Sequence, residues 1–194
     1  MDGFPMTAGA SRPAIVAEVI RTRRTVNAFQ PLLPPREIVL EALELACWAP
    51  NHHKTEPWRF HALGPETVAR LIDWNTRSLA ETKGVEAAEA KRRQWAAVPG
   101  WLLVTCLRSD DPVQAEEDFA ACCCAVQNFL LSLWSHGIAT KWSTGGITRQ
   151  PEFLERLGLD PAQHRLVGLI WYGYPEKLPQ QQRHPATAFL RELP

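Results

Sequence analysis

From Pro112 to His136 the chain runs on with no internal proline or glycine, and its apolar residues cover most of a helical circumference. Phe119, Cys123, Val126, Leu130 and Leu133 form its inward stripe, and Gly137 stops it. A long helix this apolar belongs either at the centre of a fold or in a subunit interface, because solvent on most sides would leave it unstable. The remaining segments have to be arranged around it.

Four segments carry strand patterns. WLLVTCL, 101–107, is an unbroken apolar run and reads as a buried strand. PWRFHAL, 57–63, alternates, with Trp58, Phe60 and Ala62 on one face and Arg59 and His61 on the other. Ile138 to Ser143 and RLVGLIWYG, 165–173, complete the set. Helices fill the gaps. Ser11 caps the first, with Pro13 in its first turn and Ile15, Val16, Val19 and Ile20 at helical spacing, and it ends near Arg23-Arg24-Thr25. Pro34-Pro35 open a second, with Ile38, Val39, Leu43 and Ala46, which Pro50 ends. Pro65 starts a third through Val68, Leu71 and Ile72. The charged, alanine-rich stretch from Gly84 to Trp95 reads as a largely exposed helix that could form part of a lid, and Pro151 to Leu157 as a short helix closed by Gly158. The tail from Tyr174, rich in Pro and Gln, reads as extended.

Strands and helices do not alternate one for one in this order. The expected class is therefore α+β, a mixed, mostly antiparallel central sheet sandwiched by helices, rather than a doubly wound parallel sheet. Neither GxGxxG nor GxxxxGK[ST] occurs. A chain of 194 residues suits one domain, expected at 14–194 behind an N-terminal arm at 1–13. Lys+Arg and Asp+Glu both number 21, a balance that offers no field to gather nucleic acid or an anionic membrane. No apolar run is long enough to span a bilayer and the N-terminus lacks a secretory pattern, so the expected address is the cytoplasm. Cys122, Cys123 and Cys124 are adjacent and point in different directions on a helix, which suits neither a disulfide framework nor a CxxC metal site.

Three polar constellations stand out. Arg21-Thr22-Arg23-Arg24-Thr25-Val26-Asn27 gathers donors at the end of the first helix. Guanidinium forks match phosphate oxygens in pairs, although arginines also favour a helix C-terminus for its dipole alone. Ala49-Pro50-Asn51-His52-His53-Lys54-Thr55-Glu56-Pro57-Trp58 joins a helix to a strand. Its paired histidines have no His or Cys at ligand spacing nearby, so no metal is expected, and a loop of mixed donors suits contact with a ligand. Lys141-Trp142-Ser143-Thr144-Gly145-Gly146 ends a strand in hydroxyls and glycines, which let a backbone approach a flat ligand closely.

Taken together and in order, these segments resemble the nitroreductase family. The resemblance rests on the Arg-Arg-Thr cluster, on the Ala-Pro-Asn-His loop leading into Pro-Trp-x-Phe, on Gly-x-x-x-x-Trp-Ser-Thr-Gly-Gly after the long helix, and on Leu-Gly-Leu followed by Leu-Val-Gly-Leu-Ile-Trp-Tyr-Gly-Tyr-Pro. It spans about residue 15 to 175 and looks like the small, compact subgroup. It implies an FMN-dependent oxidoreductase that passes hydride from NAD(P)H through the flavin to small acceptors such as nitroaromatics or quinones, by a ping-pong route. It also implies a homodimer with FMN at the subunit interface. Arg23, Arg24 and Thr25 would hold the phosphate and ribityl chain, and Asn27 the pyrimidine edge, in place of the commoner arginine. Trp48, Asn51 and His52 would reach the partner's flavin. Trp142, Ser143, Thr144, Gly145 and Gly146 would line the ring or the phosphate end, and Arg183 would add a phosphate contact from the tail. No side chain is nominated as catalytic, since the flavin carries the chemistry. A non-catalytic FMN or nucleotide-binding regulatory module stays open, as do other flavin reactions: enone reduction, dehalogenation or consumption of the flavin.

Overall fold

A computed structural model describes residues 11–194. The arm expected at 1–13 lies, for residues 1–10, outside the described residues, and Arg12 and Pro13 already belong to a helix. In chain order the elements are α1 (Arg12–Thr22), α2 (Arg36–Ala46), β1 (Trp58–Ala62), α3 (Pro65–Lys83), α4 (Val85–Ala96), β2 (Gly100–Leu107), α5 (Pro112–Ser135), β3 (Ala139–Ser143) and β4 (His164–Gly173). The strands form one sheet in the order β1-β2-β4-β3, every neighbouring pair antiparallel. A parallel bridge, Thr25 to Thr140, adds the chain after α1 to the outer side of β3. The α+β arrangement is thus the one the element order implies.

Period-two alternation divides the core. Leu102, Val104 and Cys106 of β2 and Ile170 and Tyr172 of β4 face α2 and α5. Trp101, Leu103, Leu169 and Trp171 face the other way, against Leu71 and Ile72 of α3 and Trp95 of α4. That second core centres on Trp95, Trp101 and Trp171, whose ring centroids lie 5.2–5.4 Å apart in edge-to-face and tilted contacts.

Helix α5 is central, as its apolar circumference requires. Asp111 caps it, its carboxylate accepting from the backbone N–H of Val113 (2.8 Å) and of Gln114 (3.4 Å), with Pro112 in the first turn. About 100° of rotation per residue sorts the cysteine run: Cys122 is buried, Cys123 half-buried and Cys124 exposed. The fully inward cysteine is therefore Cys122 rather than Cys123, and Phe119 is only half-buried, because the buried face runs through Asp118, Ala121, Cys122, Ala125 and Phe129. Three local expectations are corrected. Ser11 stands at the start of α1 but makes no side-chain cap. Helix α2 stops at Ala46, before Pro50. Residues 151–157 form turns and a 3-10 turn (Glu155–Leu157) instead of an α-helix, because a segment this short closes against Gly158 (φ 76°) before an α-turn can propagate.

Three strands meet in a polar triad. The Thr105 hydroxyl, fully buried, lies 3.0 Å from His61 Nε2 and 3.0 Å from His164 Nδ1. One hydroxyl can donate to one ring and accept from the other, so at least one imidazole must be neutral for every group to be satisfied. Burial, then His164 and Arg59, push the His61 pKa below its ordinary value. Its folded pKa thus lies below the unfolded value of about 6.5. The stability this gives is complete above about pH 6.5 and is lost as pH falls through the folded value, because unfolding then takes up a proton. Melting temperatures between pH 7.5 and 5.5 should fall less steeply for His61→Gln than for the unmodified chain; equal slopes would show that His61 does not titrate this way.

Candidate functional site

Helix α1 ends where the indole N–H of Trp134, in α5, donates to Thr22 Oγ1 (2.8 Å), which itself donates to the Glu18 carbonyl (2.7 Å). The chain then turns along β3. Val26 N–H donates to the Thr140 carbonyl (3.1 Å), so residues 23–27 lie beside 140–141 although far apart in sequence. The tail returns to the same place, with Phe29 bridging Pro175 and Gln30 Nε2 donating to the Pro175 carbonyl (3.0 Å).

Arg23, half-buried, sits at this junction. Burial, and after it the nearby Arg183 and Arg24 guanidinium groups, lower its pKa. Among the described residues none of these three arginines forms an ion pair; the sole salt bridge joins Arg92 to Asp73 (3.5 Å). Three cations from the helix end and the tail therefore gather without a carboxylate between them, which is an anion site in electrostatic terms. The two neighbouring arginines are not equivalent. Arg24 is spent on backbone, donating to the carbonyls of Pro179 (3.2 Å), Arg21 (2.7 Å) and Arg23 (3.0 Å), and so clips the tail to the end of α1. Arg23 makes no such bond. Thr25 is exposed and contributes its backbone to the bridge with Thr140.

Beyond it, Asn27 Oδ1 accepts from Lys141 Nζ (2.7 Å), and its carbonyl from Gln94 Nε2 (3.4 Å). Lys91 Nζ donates to Gln94 Oε1 (2.8 Å). Lys141 lies over the Trp171 ring, 4.6 Å from its centroid, and burial followed by the charge of Lys91 lowers its pKa. Lys141 opens the third polar constellation but carries no assigned contact there, and Lys91 and Gln94 lie in none of the three. Alternation along β3 places Lys141 on the face opposite Trp142; nothing in the sequence points to the α4 pair.

The turn after β3 leaves Ser143 half-exposed and Thr144, Gly145 and Gly146 exposed. The Thr144 carbonyl accepts from Arg149 Nε (2.9 Å) and the Gly145 carbonyl from the Thr148 hydroxyl (3.0 Å). Gly146 is left-handed (φ 62°), and a Cβ on Gly145 would meet nothing within 4 Å. The turn is braced from inside and open outside. Trp142 points elsewhere: its indole N–H donates to the Val167 carbonyl (3.0 Å), and its ring covers Gly168, where a Cβ would come within 2.0 Å of Nε1.

The remaining loop is built on strain. His53, Lys54 and Glu56 have φ of 63°, 55° and 46°, values that non-glycine residues seldom adopt and that cost about 1–3 kcal/mol each. Asn51 spends its amide inside the loop, Oδ1 accepting from Glu56 N–H (2.7 Å) while Nδ2 donates to Thr55 Oγ1 (3.0 Å) and to the His52 carbonyl (3.2 Å). His52 and His53 are exposed, their ring centroids 4.0 Å apart, and Trp48 just before the loop is 84% exposed. Folding brings Glu117 of α5 beside the two imidazoles, with the ligand atoms within 4.8 Å of one another and all three residues exposed. Local spacing could not show that neighbour.

A family model described as the nitroreductase family matches residues 20–174. The chain belongs to the nitroreductase family. The Bacillus subtilis protein YfhC, which carries an NAD(P)H nitroreductase name, is 31% identical over 93% of this chain and 94% of its own length. A nitroreductase-like protein from Bacillus cereus superposes with a TM-score of 0.84 at 30% identity, covering 97% of this chain and 99% of that one. A family structure from Desulfovibrio desulfuricans that contains FMN superposes with a TM-score of 0.73 at 26% identity, over 95% and 99% of the two chains. Among the described residues of this family member no helix is long and apolar enough to cross a membrane.

Proposed function

We propose that this nitroreductase-family chain binds FMN and passes reducing equivalents from NAD(P)H to a small acceptor such as a nitroaromatic or a quinone. The observation that carries this is the half-buried Arg23, beside Arg183 and Arg24 and without a counter-ion among the described residues. A nucleotide phosphate is the ligand such a cluster of guanidiniums suits. The rest of the site fits the same molecule. Arg23 and Arg183 would hold the phosphate, Arg24 would keep the tail that carries Arg183 in place, and Thr25 would lie along the ribityl chain. Asn27 with Lys141 would offer donors to the pyrimidine edge. Ser143 to Gly146 would present an open, braced backbone to the ring, and Trp142 would support that backbone from behind. FMN, when bound, supplies the two-electron chemistry, and no side chain here is assigned a proton.

The reading includes a homodimer in which Trp48 and His52 extend toward the partner's flavin. In support, no residue of α1 is buried by its own chain, and Val16, Ile20, Leu40, Leu45 and Trp48 are exposed, an apolar surplus that a second copy would cover. The test is direct. Protein reconstituted with FMN should be yellow and dimeric by light scattering, and anaerobic NADPH or NADH should bleach it, with colour returning on addition of a nitroaromatic. Bound FMN that neither nicotinamide bleaches would favour a regulatory binding module instead.

A further inference from the structure

Among the described residues Asp118 is the buried acidic side chain, and the scheme above leaves it without a task. It lies in the first half of α5, 3% exposed, and forms no ion pair with any described residue. A buried carboxylate with no cation beside it is costly, and it is retained where its hydrogen bonds hold something in place. Its bonds are few. Thr55 Oγ1 donates to Oδ1 at 2.5 Å, and Gln114 Nε2 reaches Oδ2 at 3.5 Å. Since the Thr55 proton goes to Asp118, the Thr55 oxygen is left to accept, and it accepts from Asn51 Nδ2 (3.0 Å). That fixes the Asn51 amide with Oδ1 turned to the Glu56 N–H (2.7 Å). One directed chain, Glu56 N–H to Asn51 to Thr55 to Asp118, thus ties the loop to the central helix. It spans the stretch where His53, Lys54 and Glu56 hold left-handed backbone.

We propose that Asp118 is a positioning residue: through Thr55 and Asn51 it holds loop 51–56 in its left-handed form, so that His52 and His53 face outward toward the flavin of a partner subunit. This rests on the FMN-dependent, dimeric reading above. It also changes the part played by Asn51, whose side chain serves the loop rather than a ligand. A carboxylate suits the end of the chain because it can only accept when ionised, which sets the direction of every bond before it.

The experiment compares Thr55→Val, which keeps the shape and removes the hydroxyl, with Thr55→Ser, which restores it, in full-length protein. Amide hydrogen exchange over 51–56 is followed without FMN, then flavin absorbance and steady-state turnover with it. For Thr55→Val, exchange at the Glu56 amide should rise about tenfold, in line with loss of the part-buried charge-assisted bond from Thr55 to Asp118. The bound-flavin bands should shift and kcat/KM for the acceptor should fall about tenfold, while FMN affinity stays within about threefold because the arginines are untouched. Thr55→Ser should recover all of these. Unchanged exchange in Thr55→Val would overturn the loop-holding role whether or not flavin binds. Faster exchange with identical flavin bands and turnover would overturn the positioning role. An unmodified chain that takes up no FMN would instead overturn the flavin reading, and the exchange result, obtained without FMN, would stand apart from it.

Discussion

Arg23→Ala should weaken FMN binding by about 100-fold, whereas Arg24→Ala should act first on the tail. Arg23 makes no bond to its own backbone, so its fork is free for an anion, and charge-assisted bonds of this kind contribute ~1.5–3 kcal/mol each. Two of them correspond to roughly the stated loss, since about 1.4 kcal/mol is a factor of ten. Arg23, as an arginine, stays protonated across neutral pH, so the effect should be steady above about pH 7, where the phosphate is also fully ionised, and smaller toward about pH 6. Removing it also relieves repulsion among Arg23, Arg24 and Arg183, so the apoprotein should lose no stability. Arg24 instead satisfies the carbonyls of Arg21, Arg23 and Pro179. Its loss should speed proteolysis of the tail beyond Pro179 and weaken FMN binding indirectly, by releasing Arg183. Flavin-fluorescence titration gives the affinities and limited proteolysis reads the tail. A change below threefold for Arg23→Ala would remove the phosphate assignment.

The largest loss of stability is expected from Trp171→Ala. Trp171 is 1% exposed, packs against Trp95 and Trp101, and carries Lys141 on its face. Removing so large a buried ring costs about 3–5 kcal/mol in lost transfer energy and residual cavity. For a chain of this size that lowers Tm by roughly 10 °C. Part is offset, because the indole N–H groups of Trp171 and Trp95 are buried without acceptors and one leaves with the ring. The substitution should also loosen Lys141 and with it Asn27, so FMN affinity should fall even though Trp171 touches no solvent. Trp171→Phe should recover most of the stability. Urea unfolding measures this, and a loss under about 1 kcal/mol would show that the three-tryptophan core tolerates a hole of this size.

These two cases separate what periodicity could reveal from what it could not. The strand at 165–173 was legible because a near-continuous apolar run of strand length has to be buried on both faces, and Trp171 lies within that run. Arg23 and Arg24 were legible as a pair, but a pair of like residues cannot be told apart by composition. The difference between them arises from Pro179, which lies 155 residues away along the chain and next to Arg24 in space. Strand alternation sets Lys141 on the face opposite Trp142. Nothing comparable marks Lys91 and Gln94, because only the packing of α4 brings them to Asn27. The short segment 151–157 was misread for a local reason, since a pattern too brief to propagate a helix is closed by turns.

The sequence by itself determined the α+β class, the central helix from Pro112 and the order of the polar constellations, because backbone hydrogen bonding and the burial of apolar faces act over a few residues at a time. The tertiary structure alone decided which of those polar groups are free. Arg24, Asn51 and Trp142 are occupied within the fold, Arg23 has no counter-charge among the described residues, and Asp118 is buried against Thr55. Whether a donor is available depends on what the rest of the chain brings within about 3 Å of it, and sequence spacing carries no such distance.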